Sequence, residues 1–321
     1  MTQPYSKNMK LKCNFIASIF RPGSFLKYEF SGAARNPHQP LAMMHVPKTA
    51  GTSLMHDMST SIKPVLDVRG FDRTLFGAFN GYSSFNEDVK KIVYHEPTDM
   101  PANANLVMGH IAHHTLKARY PDAQQITFLR EPFIRVLSLW IFWRCHRDEQ
   151  LEGWGDWANL VKLSRLSLKE FLSDTRLAGQ TDNVTVRMLL WPGSGIPLDR
   201  FIEERSDNEL LAQAFERLNS FSYSDVIENP SFSERLKRWL QIDMSSSRLN
   251  ETTTIPKHLR LKLERELDNE TLELLQQRSR LDLQLWTALA GRRLPGRDIE
   301  ALRLQTVMGG VARYSTLLNP A

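Results

Sequence analysis

The chain has 321 residues, 41% of them hydrophobic and 24% charged, with a formal net charge of +5. That is enough apolar material for a buried core in one large domain or two small ones, and the slight basic excess suits an anionic ligand. Cys13 and Cys145 are the only cysteines, which excludes a disulfide framework or a cysteine metal site and makes a reduced compartment the default.

In chain order, residues 1–39 show no clear period and end in the turn-rich Asn36-Pro37-His38-Gln39-Pro40, so they read as an N-terminal arm. Within the arm, Phe15 to Phe20 is far short of the roughly 20 residues that span a bilayer. Lys7, Lys10 and Lys12 imitate the start of a signal peptide, but Arg21-Pro22-Gly23 stands where small residues belong. No membrane span is expected.

The core begins after the arm. Leu41 to Val46 is a short apolar run closed by Pro47, then a small-residue loop and an amphipathic stretch from Ser53 to Ile62: strand, loop, helix. Ala104 to Met108 and Ile126 to Leu129 are further runs of the kind that fill a parallel sheet, and Pro132 to Arg147 reads as a helix with proline at its first position. Residues from 165 onward read as mostly helical, with a break at Trp191-Pro192-Gly193, a strand at Phe221 to Ile227 and one long charged helix from Lys257 to Ala290. This alternation predicts an α/β fold of three layers, with a parallel sheet between helices and a helix-rich C-terminal half. Residues 40–290 form the domain and 291–321 a C-terminal tail; no repeat or linker demands a second domain.

Two segments carry the chemistry. In Pro47-Lys48-Thr49-Ala50-Gly51-Thr52-Ser53, small residues between strand and helix let backbone N–H groups and the positive helix end point at one anion. Lys48 adds a full charge, and Thr52 and Ser53 add hydroxyl donors. The lysine precedes the glycine, unlike G-x-x-x-x-G-K-[ST], so an ATPase or kinase reading loses its main support. The plainer alternative is a strand-to-helix turn with a surface lysine. In Leu129-Arg130-Glu131-Pro132-Phe133-Ile134-Arg135-Val136-Leu137-Ser138, Arg130 leaves a strand end and Ser138 sits two turns into a helix, a pairing suited to a phosphomonoester. Arg135 either joins that site or pairs with an acid.

With both segments in view, the chain resembles the sulfotransferases that use 3′-phosphoadenosine 5′-phosphosulfate (PAPS), in particular the heparan sulfate 2-O- and 6-O-sulfotransferases and related bacterial enzymes. Pro47 to Ser53 looks like the family's 5′-phosphosulfate loop, and Arg130, Glu131, Pro132, Arg135 and Ser138 look like its R-D-P-x-x-R-x-x-S motif, with glutamate for aspartate. Weaker echoes are Gln180-Thr181-Asp182-Asn183 with Arg187, Leu281 to Trp286, and Leu249 to Thr254, which resembles a loop that closes over the nucleotide. Asn183 and Arg187 are open to either a structural or a substrate-facing role.

The resemblance implies a PAPS site on Lys48, Thr49, Ala50, Gly51, Thr52, Ser53, Arg130 and Ser138, a hydroxyl acceptor of carbohydrate type, and no metal. Lys48 stabilises the leaving phosphate. His110, in Val107-Met108-Gly109-His110, matches the family's base in context and order, with His113 and His114 as alternatives. A kinase using Asp67 or Glu96 for magnesium, or a non-enzymatic glycan-binding module, are the competing classes; no nucleic-acid module is recognisable. The heparan-modifying relatives sit in the Golgi behind an anchor, so a bacterial cytoplasmic setting is expected here.

Overall fold

A computed structural model describes residues 32–244 and 254–320, apart from the side chain of Thr52. The stretch from Leu249 to Thr253, assigned above to a nucleotide-closing loop, lies outside the described residues, as does the arm up to residue 31. Six strands form one all-parallel sheet: β1 (Leu41–Met44), β2 (Asp67–Asp72), β3 (Val93–Tyr94), β4 (Leu106–His110), β5 (Gln124–Leu129) and β6 (Tyr223–Val226). Their spatial order is β3-β2-β4-β1-β5-β6.

The helices that matter for the site are α1 (Gly51–Ile62), α2 (His113–Arg119), α3 (Pro132–Arg144), α4 (Val184–Leu190), α5 (Asp207–Asn219), α6 (Phe232–Leu240), α7 (Asn269–Arg293) and α8 (Ile299–Leu318), with shorter helical turns between them. Every residue of β1 is fully buried, because the sheet is covered on both faces. Leu41 and Met43 pack with Leu54 and Met58 of α1 and Leu236 of α6. Ala42 and Met44, pointing the other way, share a core with Leu116 of α2, Val186 of α4, Phe215 of α5 and Trp286 of α7. This is the three-layer α/β architecture that the alternation of runs implied.

The chain leaves β1 toward β2 on one side of the sheet and leaves β5 toward β6 on the other. The carboxyl ends of β1 and β5 therefore flank a topological switch point, where open α/β sheets bind ligands. Both motifs begin there.

Three sequence assignments change. The helix expected over Lys257 to Ala290 is broken: Asp268 caps a new helix by accepting a hydrogen bond from the Thr271 N–H at 2.8 Å, and α7 runs on to Arg293. β2 went unseen because its sheet-facing positions include Gly70 and Asp72 rather than large apolar residues, and β3 is only two residues long. Residues 299–318, grouped above with the tail, are the 20-residue helix α8, and it lies against α3. All of α3 except Phe142 is buried, as a helix apolar around its circumference requires.

The Asn183 and Arg187 segment serves the architecture. Arg187 pairs with Asp182 at 2.6 Å, 4% and 0% exposed, and its remaining donors reach the carbonyls of Asp182, Pro197 and Arg200. Asn183, in the left-handed region at φ 46°, accepts from the Leu281 N–H, while Asp282 accepts from the Thr185 and Val186 N–H groups and caps α4. The two distant echoes thus bind each other, which removes the substrate-facing alternative for Asn183 and Arg187. Asp182→Ala strands a buried guanidinium, so the denaturant midpoint should fall by an amount equivalent to ~3–5 kcal/mol. Arg200→Ala, at the exposed Arg200–Asp199 pair, should leave it unchanged within about 0.5 kcal/mol.

Candidate active site

The loop after β1 is built around a ring. Gly51, the first residue of α1, lies against the imidazole of His45, and a Cβ placed there would meet His45 Nε2 at 1.9 Å. Only glycine lets the helix start over that ring. To make the turn, Lys48 and Ala50 adopt φ 69° and 61°, a left-handed conformation that costs a non-glycine residue roughly 1–2 kcal/mol. Ala50, at the N-cap, has no side-chain acceptor to cap α1, so the positive end of the helix opens onto the loop.

Thr49 behaves differently from the expectation. It is 1% exposed, its hydroxyl donates to the Val46 carbonyl at 2.8 Å and lies 3.2 Å from His45 Nδ1, and its N–H also turns to Val46. Thr49 holds the loop's shape, with its N–H and O–H both turned to the Val46 carbonyl. Ala50 is exposed at the turn and Gly51 buried; Ser53 is half-buried on the first turn of α1.

Arg130, at the end of β5, crosses to this loop. Its Nη1 donates to the Lys48 carbonyl at 2.9 Å and its Nη2 to the Tyr314 hydroxyl of α8 at 3.2 Å. Ser138 is buried on α3, two turns from the helix start. The Lys48 ammonium stands 3.6 Å from the centre of the Phe142 ring, one turn beyond Ser138. Burial, and then the neighbouring Arg130 charge, lowers the Lys48 pKa to about 8. Neither Lys48 nor Arg130 forms an ion pair among the described residues. Glu228 is the acid closest in influence to Arg130, but its carboxylate accepts from the Glu131 N–H and the Trp286 indole, and burial pushes its pKa up.

Arg135 forms no ion pair among the described residues. It is 1% exposed, its Nη2 donates to the Gln180 carbonyl at 3.1 Å, its Nε and Nη1 have no partner among the described residues, and it lies in the fields of both Asp282 and Arg130. Glu131 is fully buried: it caps α3 through the Ile134 N–H at 2.8 Å and meets Arg303 of α8 at 3.2 Å.

Of the three histidines, His110 is the one brought to the loop. Its ring stacks on His45 at 4.6 Å between centroids, and its Nδ1–H donates to the His45 carbonyl at 2.7 Å. That bond sets the tautomer and leaves Nε2 with its lone pair. His113 turns away to Gln125 at 2.7 Å and packs on Phe221, while His114 lines a separate cavity with Lys117 and Arg217. On the open side of His110, Phe71 stacks at 5.6 Å and Trp154 meets Phe71 edge-on at 5.8 Å. Asp67 stands at the opposite end of β2, bonded to Arg69 and Ser59, and Glu96 lies beyond β3 at the start of the helical turn Pro97–Asp99. Tyr314, Arg303 and Glu228 had no signal in the sequence; they arrive from elements packed behind the two motifs.

Burial, followed by the Lys48 charge, depresses the His110 pKa to about 4. A histidine whose folded pKa lies below its unfolded value stays neutral above that value and destabilises the fold as pH drops toward 4. In a histidine-resolved NMR titration, the His110 resonances should therefore remain those of the neutral ring through pH 6 and move only near 4. A midpoint at 6.5 would place the ring in water.

Among the described residues no helix is long and apolar enough to cross a membrane. None of the curated proteins compared matches the chain. A sequence profile of the Sulfotransferase family matches residues 31–287, well over half of the chain and inclusive of the loop after β1, His110 and the Arg130 motif. The chain belongs to the sulfotransferase family.

Proposed function

We propose that the protein transfers the sulfuryl group of PAPS to a hydroxyl of a carbohydrate acceptor, with residues 40–290 as the transferase domain. The observation that carries this reading is the convergence, at the switch point between β1 and β5, of a helix start whose N-cap residue offers no side-chain cap with two cations, Lys48 and Arg130, that form no ion pair among the described residues. Such a cradle is complementary to a ligand with negative charge at two points, as the 5′-phosphosulfate and 3′-phosphate of PAPS provide. The α1 N–H groups and Lys48 hold the 5′ end; Arg130 and Ser138 hold the 3′-phosphate.

When bound, the donor supplies an electrophilic sulfur with a phosphate leaving group. His110 Nε2 accepts the acceptor's hydroxyl proton as the new O–S bond forms, its ring held by the Nδ1–H bond to His45. Lys48 and the α1 amides stabilise the charge that collects on phosphate oxygen as the old S–O bond breaks. A pKa near 4 keeps His110 unprotonated at neutral pH, and the donor's negative charge raises its basicity where the proton is taken. The half-buried faces of Phe71 and Trp154 beside His110 offer flat apolar surfaces to the C–H face of a sugar ring, which supports the carbohydrate class. The bacterial cytoplasmic setting remains part of this reading. A kinase finds less support, because Asp67 stands at the end of β2 remote from the loop.

Thermal unfolding with adenosine 3′,5′-bisphosphate, and ADP as control, tests the donor assignment: the bisphosphate should raise Tm selectively, and the shift should vanish in Arg130→Ala. An equal shift with ADP would count against PAPS. His110→Ala should lower kcat by about 10²–10⁴-fold while the bisphosphate shift persists.

A further inference from the structure

Helix α8 lies beyond residues 31–287, where the family profile matches, yet it touches Arg130. Three contacts set its place. Arg303 meets the buried carboxylate of Glu131 at 3.2 Å, beside Arg130. Gly310 lies against Ile134 of α3, where a Cβ would come within 2.5 Å of the Ile134 side chain, so the two helices touch closely at that level. One turn further on, the Tyr314 hydroxyl accepts from Arg130 Nη2 at 3.2 Å.

Tyr314 is 2% exposed, so its ring is fixed by packing and its hydroxyl is held on the guanidinium. A phenol that accepts from Arg130 keeps its own hydrogen to donate, and a phosphate oxygen seated on the same guanidinium is an acceptor for it.

We propose that α8 completes the nucleotide site, with Tyr314 as a positioning residue that sets the Arg130 fork for the donor's 3′-phosphate. This rests on the PAPS reading above. The inference is tested by isothermal titration of the full chain with adenosine 3′,5′-bisphosphate and with 5′-AMP, which lacks the 3′-phosphate. Tyr314→Phe keeps the packed ring and removes only the hydroxyl, so the ligand-free chain should stay folded with a slightly lower Tm. It should weaken bisphosphate binding by about five- to tenfold while leaving 5′-AMP affinity unchanged, and so narrow the discrimination between the two. Unchanged bisphosphate affinity in the variant, or an equal loss for both nucleotides, would overturn the role of α8 and leave the donor assignment standing. A wild type that does not prefer the bisphosphate to 5′-AMP would overturn both together.

Discussion

The carboxylate of Glu131 is the joint on which the site depends. It is fully buried between β5 and α3, and its two oxygens serve different elements: one caps α3 through the Ile134 N–H, the other meets Arg303 of α8. Its backbone N–H donates to Glu228, which also takes the indole N–H of Trp286 from α7. One residue therefore ties three helices and the segment after β6 to the end of the strand that carries Arg130. A buried charge is tolerated only when its oxygens are satisfied, and here satisfying them assembles the site. Glutamate in place of the family's aspartate keeps this joint, with one more methylene to reach across it.

Around that joint the protein concentrates positive charge. Two residues adopt left-handed backbone, the helix start has no side-chain cap from its N-cap residue, and burial together with the neighbouring Arg130 charge lowers the Lys48 pKa to about 8. The opposite side of the site is built from neutral surfaces, with His110 between His45 and Phe71 and the edge of Trp154 beyond. The division into a charged half and an aromatic half mirrors what a charged donor and a neutral hydroxyl each require.

Much of this architecture is legible in the sequence, for identifiable reasons. β1, β4 and β5 announce themselves because strands covered on both faces become unbroken apolar runs, and the loop after β1 stands out because small residues follow one of them. β2 is silent because Gly70 and Asp72 occupy its inward positions, the aspartate being satisfied by the Ala112 N–H and the Thr115 hydroxyl. The break before α7 depends on a single cap at Asp268 inside an otherwise helical pattern. At the site, local motifs placed Lys48, Arg130 and His110 near one another. The inward turn of Thr49, the burial of Arg135 and the arrival of Tyr314 are consequences of packing between distant segments, and no spacing rule reports them.

The ring of His45 has a further consequence. It is at once the floor on which Gly51 begins α1 and the surface on which His110 stacks, and its carbonyl anchors His110 Nδ1. The amides proposed to hold the donor and the nitrogen proposed to take the acceptor's proton therefore share one datum. Any repacking of His45 would displace both together, so the reach between donor and acceptor is inherited from a residue that touches neither, and changes at positions 45, 51 and 110 should be strongly non-additive.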